Sequence, residues 1–229
     1  MARFSRIQVV LKMAEIGMIP VFFHKDVETC KKVIEACYKG GVKIFEFTNR
    51  GSYAHVIFEQ ISKWATDEFP DLIMGTGSVI DAPTAAIYAQ LDSNFIVSPL
   101  LDEEMGILLN RRKILWSPGC GSVSEISKAE ALGAEIVKIF PGSQVGGPKF
   151  VAAVKGPMPW THIMPTGGVE PTEANLTEWF KAGAICCGMG SKLLRSDLIK
   201  SKDFKKLEEV VRDAFTLAQR LRKEYPVRV

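Results

Sequence analysis

Apolar runs of five to seven residues recur along the chain at 18–24, 43–49, 72–78, 95–99, 115–119, 136–142, 162–168 and 185–191. Short continuous runs bounded by Gly, Pro or Asn are the pattern of strands buried on both faces of a parallel sheet. Amphipathic segments with helix punctuation separate them. Asp26 can cap the first, where Val27, Cys30, Ile34, Cys37 and Tyr38 share a helical face and Gly40-Gly41 ends it. Asp81 with Pro83 just inside opens another, and Ser122 with Glu125 has capping-box spacing before Gly133 closes that helix. The last, 203–224, carries Phe204, Leu207, Val211, Ala214, Leu217, Ala218 and Leu221 on one side. Eight strand–helix units in a row require parallel strands joined by right-handed crossovers. At 229 residues the predicted closure is a single (β/α)8 TIM barrel domain over residues 1–229, with segment 5–16 as an extra N-terminal helix at its bottom. The rival, an open doubly wound sheet, calls for a Gly-rich turn after the first strand, and 20–25 contains none.

Composition narrows the partners. The chain is 47% hydrophobic and 24% charged, and its 29 basic and 26 acidic residues leave a net charge of +3. The basic residues are dispersed, so no footprint for nucleic acid is expected, while a small anionic substrate needs only a few placed groups. The five cysteines lie in apolar patterns without a C-x-x-C pair, as expected for reduced, buried thiols in a cytoplasmic protein. No signal-peptide pattern opens the sequence, and no run approaches the ~18 apolar residues of a membrane span. His24, His55 and His162 lack metal-ligand spacing, and a structural role is expected for His24.

Three features suggest chemistry. Lys138 interrupts the apolar run Ile136-Val137-Lys138-Ile139-Phe140-Pro141. A buried lysine with a depressed pKa is a nucleophile able to form a Schiff base with a carbonyl; a head group that snorkels outward or pairs with a carboxylate is the alternative. Strand parity places Ile44, Glu46, Thr48 and Arg50 on one face and Phe45 and Phe47 on the other, so the second strand offers the barrel interior a carboxylate and a guanidinium. An internal ion pair would account for the same residues. The Gly-rich ends Gly167-Gly168 and Gly190-Ser191 follow the seventh and eighth strands, where barrels hold phosphate on backbone N–H groups. Thr76, between Gly75 and Gly77, leaves its hydroxyl open to a ligand or marks a plain turn.

Taken together, GVKIFEFTNR, MGTGSV, FIVSP, WSPGC, IVKIFPG, PTGGV and GMGS resemble the 2-keto-3-deoxy-6-phosphogluconate aldolases, also described as 4-hydroxy-2-oxoglutarate aldolases. The resemblance implies a class I pyruvate aldolase, a lyase that needs no metal or cofactor, on a (β/α)8 barrel that assembles as a homotrimer. Its substrate would be a small keto acid. It assigns the Schiff base to Lys138 and acid–base work to Glu46. It gives the pyruvate carboxylate to Arg50 and Thr76, pocket walls to Pro99 and Phe140, and phosphate binding to Gly167, Gly168, Gly190 and Ser191. Two alternatives are a barrel that binds a keto acid or phosphorylated metabolite without turnover, and another phosphate-binding lyase or epimerase.

Overall fold

A computed structural model describes residues 2–228. Helices and strands alternate as α1 (Arg6–Ile16), β1 (Met18–Phe22), α2 (Val27–Lys39), β2 (Ile44–Thr48), α3 (Ala54–Glu68), β3 (Ile73–Gly77), α4 (Ala82–Gln90), β4 (Phe95–Val97), α5 (Glu103–Arg112) and β5 (Leu115–Ser117). There follow β6 (Gly119–Cys120), α6 (Val123–Ala131), β7 (Val137–Ile139), α7 (Gly147–Lys155), β8 (Ile163–Pro165), α8 (Glu173–Lys181), β9 (Cys187–Met189), α9 (Ser196–Lys200) and α10 (Phe204–Glu224). The caps read from sequence are made: Asp26, Asp81 and Ser122 each accept from a backbone N–H three residues on, and Asp203 does the same for the last helix. Glu125, however, turns back to Gly121 N at 2.8 Å rather than to Ser122 N, so the full reciprocal box forms only at Ser5–Gln8 among the described residues.

All strand pairings are parallel and form a curled sheet in two segments, β5-β4-β3-β2-β1-β9 and β6-β7-β8. The fifth expected strand is divided at Pro118, which has no N–H to give a neighbour. Its first half pairs with β4, its second half with β7, and the Pro118 carbonyl accepts from Lys138 N at 2.9 Å. Isolated bridges Ile163↔Ala184 and Thr166↔Gly188 connect the β8 and β9 segments.

Register decides which side chains share a face. Glu46 pairs with Gly75 and Thr48 with Gly77, so these four point to the concave side. Phe45 and Phe47 point to the helices, where the Phe47 ring lies 6.0 Å from that of Phe58 on α3. The helix layer closes over the largest buried side chains, including Trp116, Trp179, Tyr88 and Phe180. α1 buries Val9, Val10, Met13, Ala14 and Ile16 and packs against β1, β2, β5 and α10. Gln219 of α10 donates to the Glu15 and Ile16 carbonyls at its end. All five cysteines are free and buried.

Concave packing depends on residues without side chains. A Cβ on Gly75 would lie 2.3–2.4 Å from three atoms of the Phe95 ring. Gly75→Ala is therefore expected to destabilise the fold by about 1–3 kcal/mol through overpacking, read as a lower urea midpoint at unchanged m-value. An unchanged midpoint would show that Phe95 has free room to move.

Candidate active site

Lys138 and Glu46 reach the concave face from β7 and β2 and are 5% and 1% exposed. Burial pushes the Lys138 amine below the usual lysine range, with Glu46 opposing that shift and Arg50 adding to it. Burial raises the Glu46 carboxyl, while Lys138 and Arg50 pull it down. Desolvation thus drives both groups towards neutrality, against the attraction of their charged forms for each other. Glu46 Oε2 is buried without a hydrogen-bond partner among the described residues. Its Oε1 would lie 1.7 Å from a Cβ on Gly77; the carboxyl occupies space that only glycine leaves open.

Two residues beyond each of these groups, Thr48 and Phe140 line a cavity of about 550 Å³. The Lys138 Nζ lies 4.6 Å from the Phe140 ring centroid, which joins the buried pair to the cavity wall. Arg50, Gly167, Gly168, Gly190 and Ser191 line the same cavity. Gly167 and Gly168 have φ of 93° and 76°, a region that side chains disfavour. Among the described residues, no group accepts from the backbone N–H of Gly168, Val169, Ser191 or Lys192. These N–H groups form an unsatisfied donor edge suited to an anion. The Lys192–Glu170 ion pair, at 2.9 Å, ties the two Gly-rich loops together.

Two expected residues are placed elsewhere. Thr76 is not brought to the cavity. It pairs with Phe47 and so faces the helices, is 0% exposed, and accepts from Ser93 Oγ at 3.1 Å. The physical reason is parity: flanking glycines at 75 and 77 take the concave positions. Pro99 does not line the cavity either; its carbonyl packs where a Cβ on Gly119 would be, 2.3 Å away. Sequence reasoning passed over two others. Ser78 accepts from Arg50 Nε at 3.1 Å, next to the guanidinium where Thr76 was expected. Thr166 lines the cavity with its Oγ1 buried and unpartnered among the described residues. The signal for Thr166 was present in its place just before Gly167-Gly168 on the strand that pairs with Lys138. His24 lines the mouth, and its Nδ1 accepts from Asp26 N at 3.1 Å. Among the described residues, no three His, Cys, Asp or Glu side chains are grouped to hold a metal ion, and no helix is long and apolar enough to cross a membrane.

A desolvated lysine and a desolvated carboxylic acid on one concave face, next to a cavity edged with a guanidinium and bare backbone N–H groups, suit chemistry on carbonyl compounds through an amine. Comparison with known proteins makes the class specific: residues 7–210 match the family described as "KDPG and KHG aldolase", and the chain belongs to that family. It is 30% identical over 197 residues to the 2-dehydro-3-deoxy-phosphogluconate aldolase of Pseudoalteromonas atlantica, spanning 86% of this chain and 89% of the relative. To the KHG/KDPG aldolase of Escherichia coli (strain K12) it is 29% identical, spanning 86% and 90%. The KDPG aldolase of Legionella pneumophila, solved with pyruvate captured at low pH as a covalent carbinolamine, superposes with a TM-score of 0.81 at 26% identity. That match covers 90% of this chain and 97% of the other.

The electrostatics can be measured directly. After reductive 13C-methylation, the Lys138 signal is expected to titrate below the ordinary lysine value of about 10.4. Glu46→Gln should move it lower still, because the lost carboxylate was the group favouring the ammonium. A Lys138 signal at or above the ordinary value would mean that the amine is solvated or firmly ion-paired.

Proposed function

We propose that this protein is a class I aldolase that cleaves 2-keto-3-deoxy-6-phosphogluconate, 4-hydroxy-2-oxoglutarate or both to pyruvate and an aldehyde. The aldehyde is glyceraldehyde 3-phosphate from the first and glyoxylate from the second. The observation that carries the proposal is the buried Lys138–Glu46 pair on the concave face, two residues short of the cavity-lining Phe140 and Thr48. The carbinolamine in the Legionella relative supports it.

In this mechanism the neutral Lys138 amine attacks the C2 ketone. The carbinolamine loses water to give a protonated imine, which acts as an electron sink. Glu46 takes the C4 hydroxyl proton, the C3–C4 bond breaks, and the aldehyde leaves. Its electron pair remains as an enamine on the pyruvate fragment. Glu46 returns a proton to the methyl carbon, and water releases pyruvate and regenerates the amine. Arg50, oriented by Ser78, holds the carboxylate. The Gly167-Gly168 and Gly190-Ser191 turns hold the phosphate through the free N–H edge of Gly168, Val169, Ser191 and Lys192, and Phe140 walls the pocket.

The scaffold we propose is a single closed (β/α)8 barrel with α1 as the extra helix at its base. Followed from strand to strand, the registers climb four residues along β5 and β6, two along β8 and two along β1 before returning to β2. That displacement of eight residues is the shear of such a barrel. A homotrimer is part of the proposal: Tyr53, Val56, Ile80, Ile87 and Leu100 are 40–75% exposed, as residues buried between subunits would be. Five unpaired cysteines suit a reducing, cytoplasmic setting.

Borohydride reduction with pyruvate should add one reduced adduct per chain, mapped by peptide mass to Lys138 and lost in Lys138→Ala. An adduct on another lysine, or none, removes the basis of the proposal. Gly190 gives a clean test of the phosphate site. A Cβ there meets nothing closer than Val21 O at 3.8 Å, so Gly190→Val keeps the fold and intrudes on the ligand. Its KM for the phosphorylated acid should rise about tenfold or more, with little change for 4-hydroxy-2-oxoglutarate. Equal effects on both substrates in a folded variant would make the loop structural only.

A further inference from the structure

The barrel interior contains a polar group that the mechanism above does not use. In a closed barrel of this shear, inward side chains fall into tiers of four drawn from alternate strands. The registers place Glu46, Val97, Lys138 and Gly188 in one tier, and Ile19, Gly75, Ser117 and Met164 in the tier beneath it. Ser117 is the single polar side chain of that lower tier. It is 0% exposed, and its Oγ has no hydrogen-bond partner among the described residues. Glu46 Oε2, one tier above, is equally unpartnered. Trp116 Nε1 is also unpartnered, but its ring packs against Gly106 of α5, away from any reacting group.

Buried hydroxyls are nearly always bonded, and an exception needs a cause. Apolar Ile19 and Met164 and the bare Gly75 offer Ser117 no side-chain acceptor in its own tier. In the tier above, the one side chain able to accept is Glu46, whose Oε2 has no partner among the described residues. Hydrogen bonds of catalytic groups are often long in the free enzyme and tighten only in the reacting complex. We infer that Ser117 is a positioning residue for Glu46: its hydroxyl donates to the Glu46 carboxylate, directly or across one bound water, while Lys138 is held as the imine. The inference rests on the aldolase reading above. Its chemical consequence is that Glu46 is kept as a base, aimed upward at the substrate, through successive proton transfers. The other groups facing Glu46 are Lys138 from β7, Arg50 beyond the end of β2 and the Cys186 thiol just before β9.

The test is the pH dependence of kcat in wild type, Ser117→Ala and Ser117→Thr, with borohydride trapping and thermal melting on each. Ser117→Ala removes one oxygen and should still trap pyruvate on Lys138. Its kcat should fall roughly tenfold at the acid end of the working range, where Glu46 loses a donor that favoured its charged form. The acid limb should move up by about one pH unit, because a carboxylate without that donor keeps its proton to higher pH. Ser117→Thr, which keeps the hydroxyl, should keep the limb near its wild-type position. An unshifted limb and unchanged kcat in Ser117→Ala, with or without a higher melting temperature, overturn the inference and leave the hydroxyl a buried orphan. Equal shifts in the Ala and Thr variants overturn it too, since packing would then be the cause. Failure of wild type to trap pyruvate at Lys138 would sink the aldolase reading itself, a result distinct from either.

Discussion

The structure turns on the cost of burying an amine and a carboxylic acid on the same concave face. Lys138 and Glu46 are removed from water together, and desolvation works on each in the direction that removes its charge. Their mutual attraction works the other way. Arg50 is the asymmetric third member: its positive charge favours loss of the proton from both groups. That is the state in which an amine attacks and a carboxylate accepts. A guanidinium at the rim therefore tunes the buried pair as well as facing the cavity, and the site's protonation depends on how the three are spaced.

Room for this arrangement comes from glycine. Gly77 yields its side-chain space to the Glu46 carboxyl, Gly188 to the Thr166 hydroxyl, Gly119 to the Pro99 carbonyl and Gly75 to the Phe95 ring. Glycine weakens a strand, so four such positions on the concave face are a structural concession. In return, the interior has polar groups and open space where branched aliphatic side chains would otherwise fill it. The pairing of β2 with β3 is the sharpest case, because one glycine of β3 accommodates a core ring and the next accommodates the acid.

The helices and strands themselves follow from features that are local in the chain: apolar runs of strand length, caps at Asp26, Asp81, Ser122 and Asp203, and glycines at helix ends. The inward direction of Glu46 was equally legible, since alternation with Phe45 and Phe47 leaves little choice. Thr76 shows where such reasoning stops. In Gly-Thr-Gly-Ser, flanking glycines made the threonine look accessible, yet pairing with Phe47 turns it to the helices and leaves Ser78 beside Arg50. No property of that tetrapeptide states which of its two faces is concave; the partner strand does.

By itself the sequence determined which segments become strands and helices, that a lysine would be set among apolar neighbours, and which loops could bring bare N–H groups to an anion. These are matters of local periodicity and backbone freedom, carried by residues within a few positions of one another. Only the tertiary structure decided that Lys138 and Glu46, 92 positions apart, share a desolvated interior, that Ser78 rather than Thr76 meets Arg50, and that Pro118 splits a strand between two partners. Those outcomes depend on register, on desolvation by residues remote in the chain, and on the space that one strand's glycines leave for another strand's side chains.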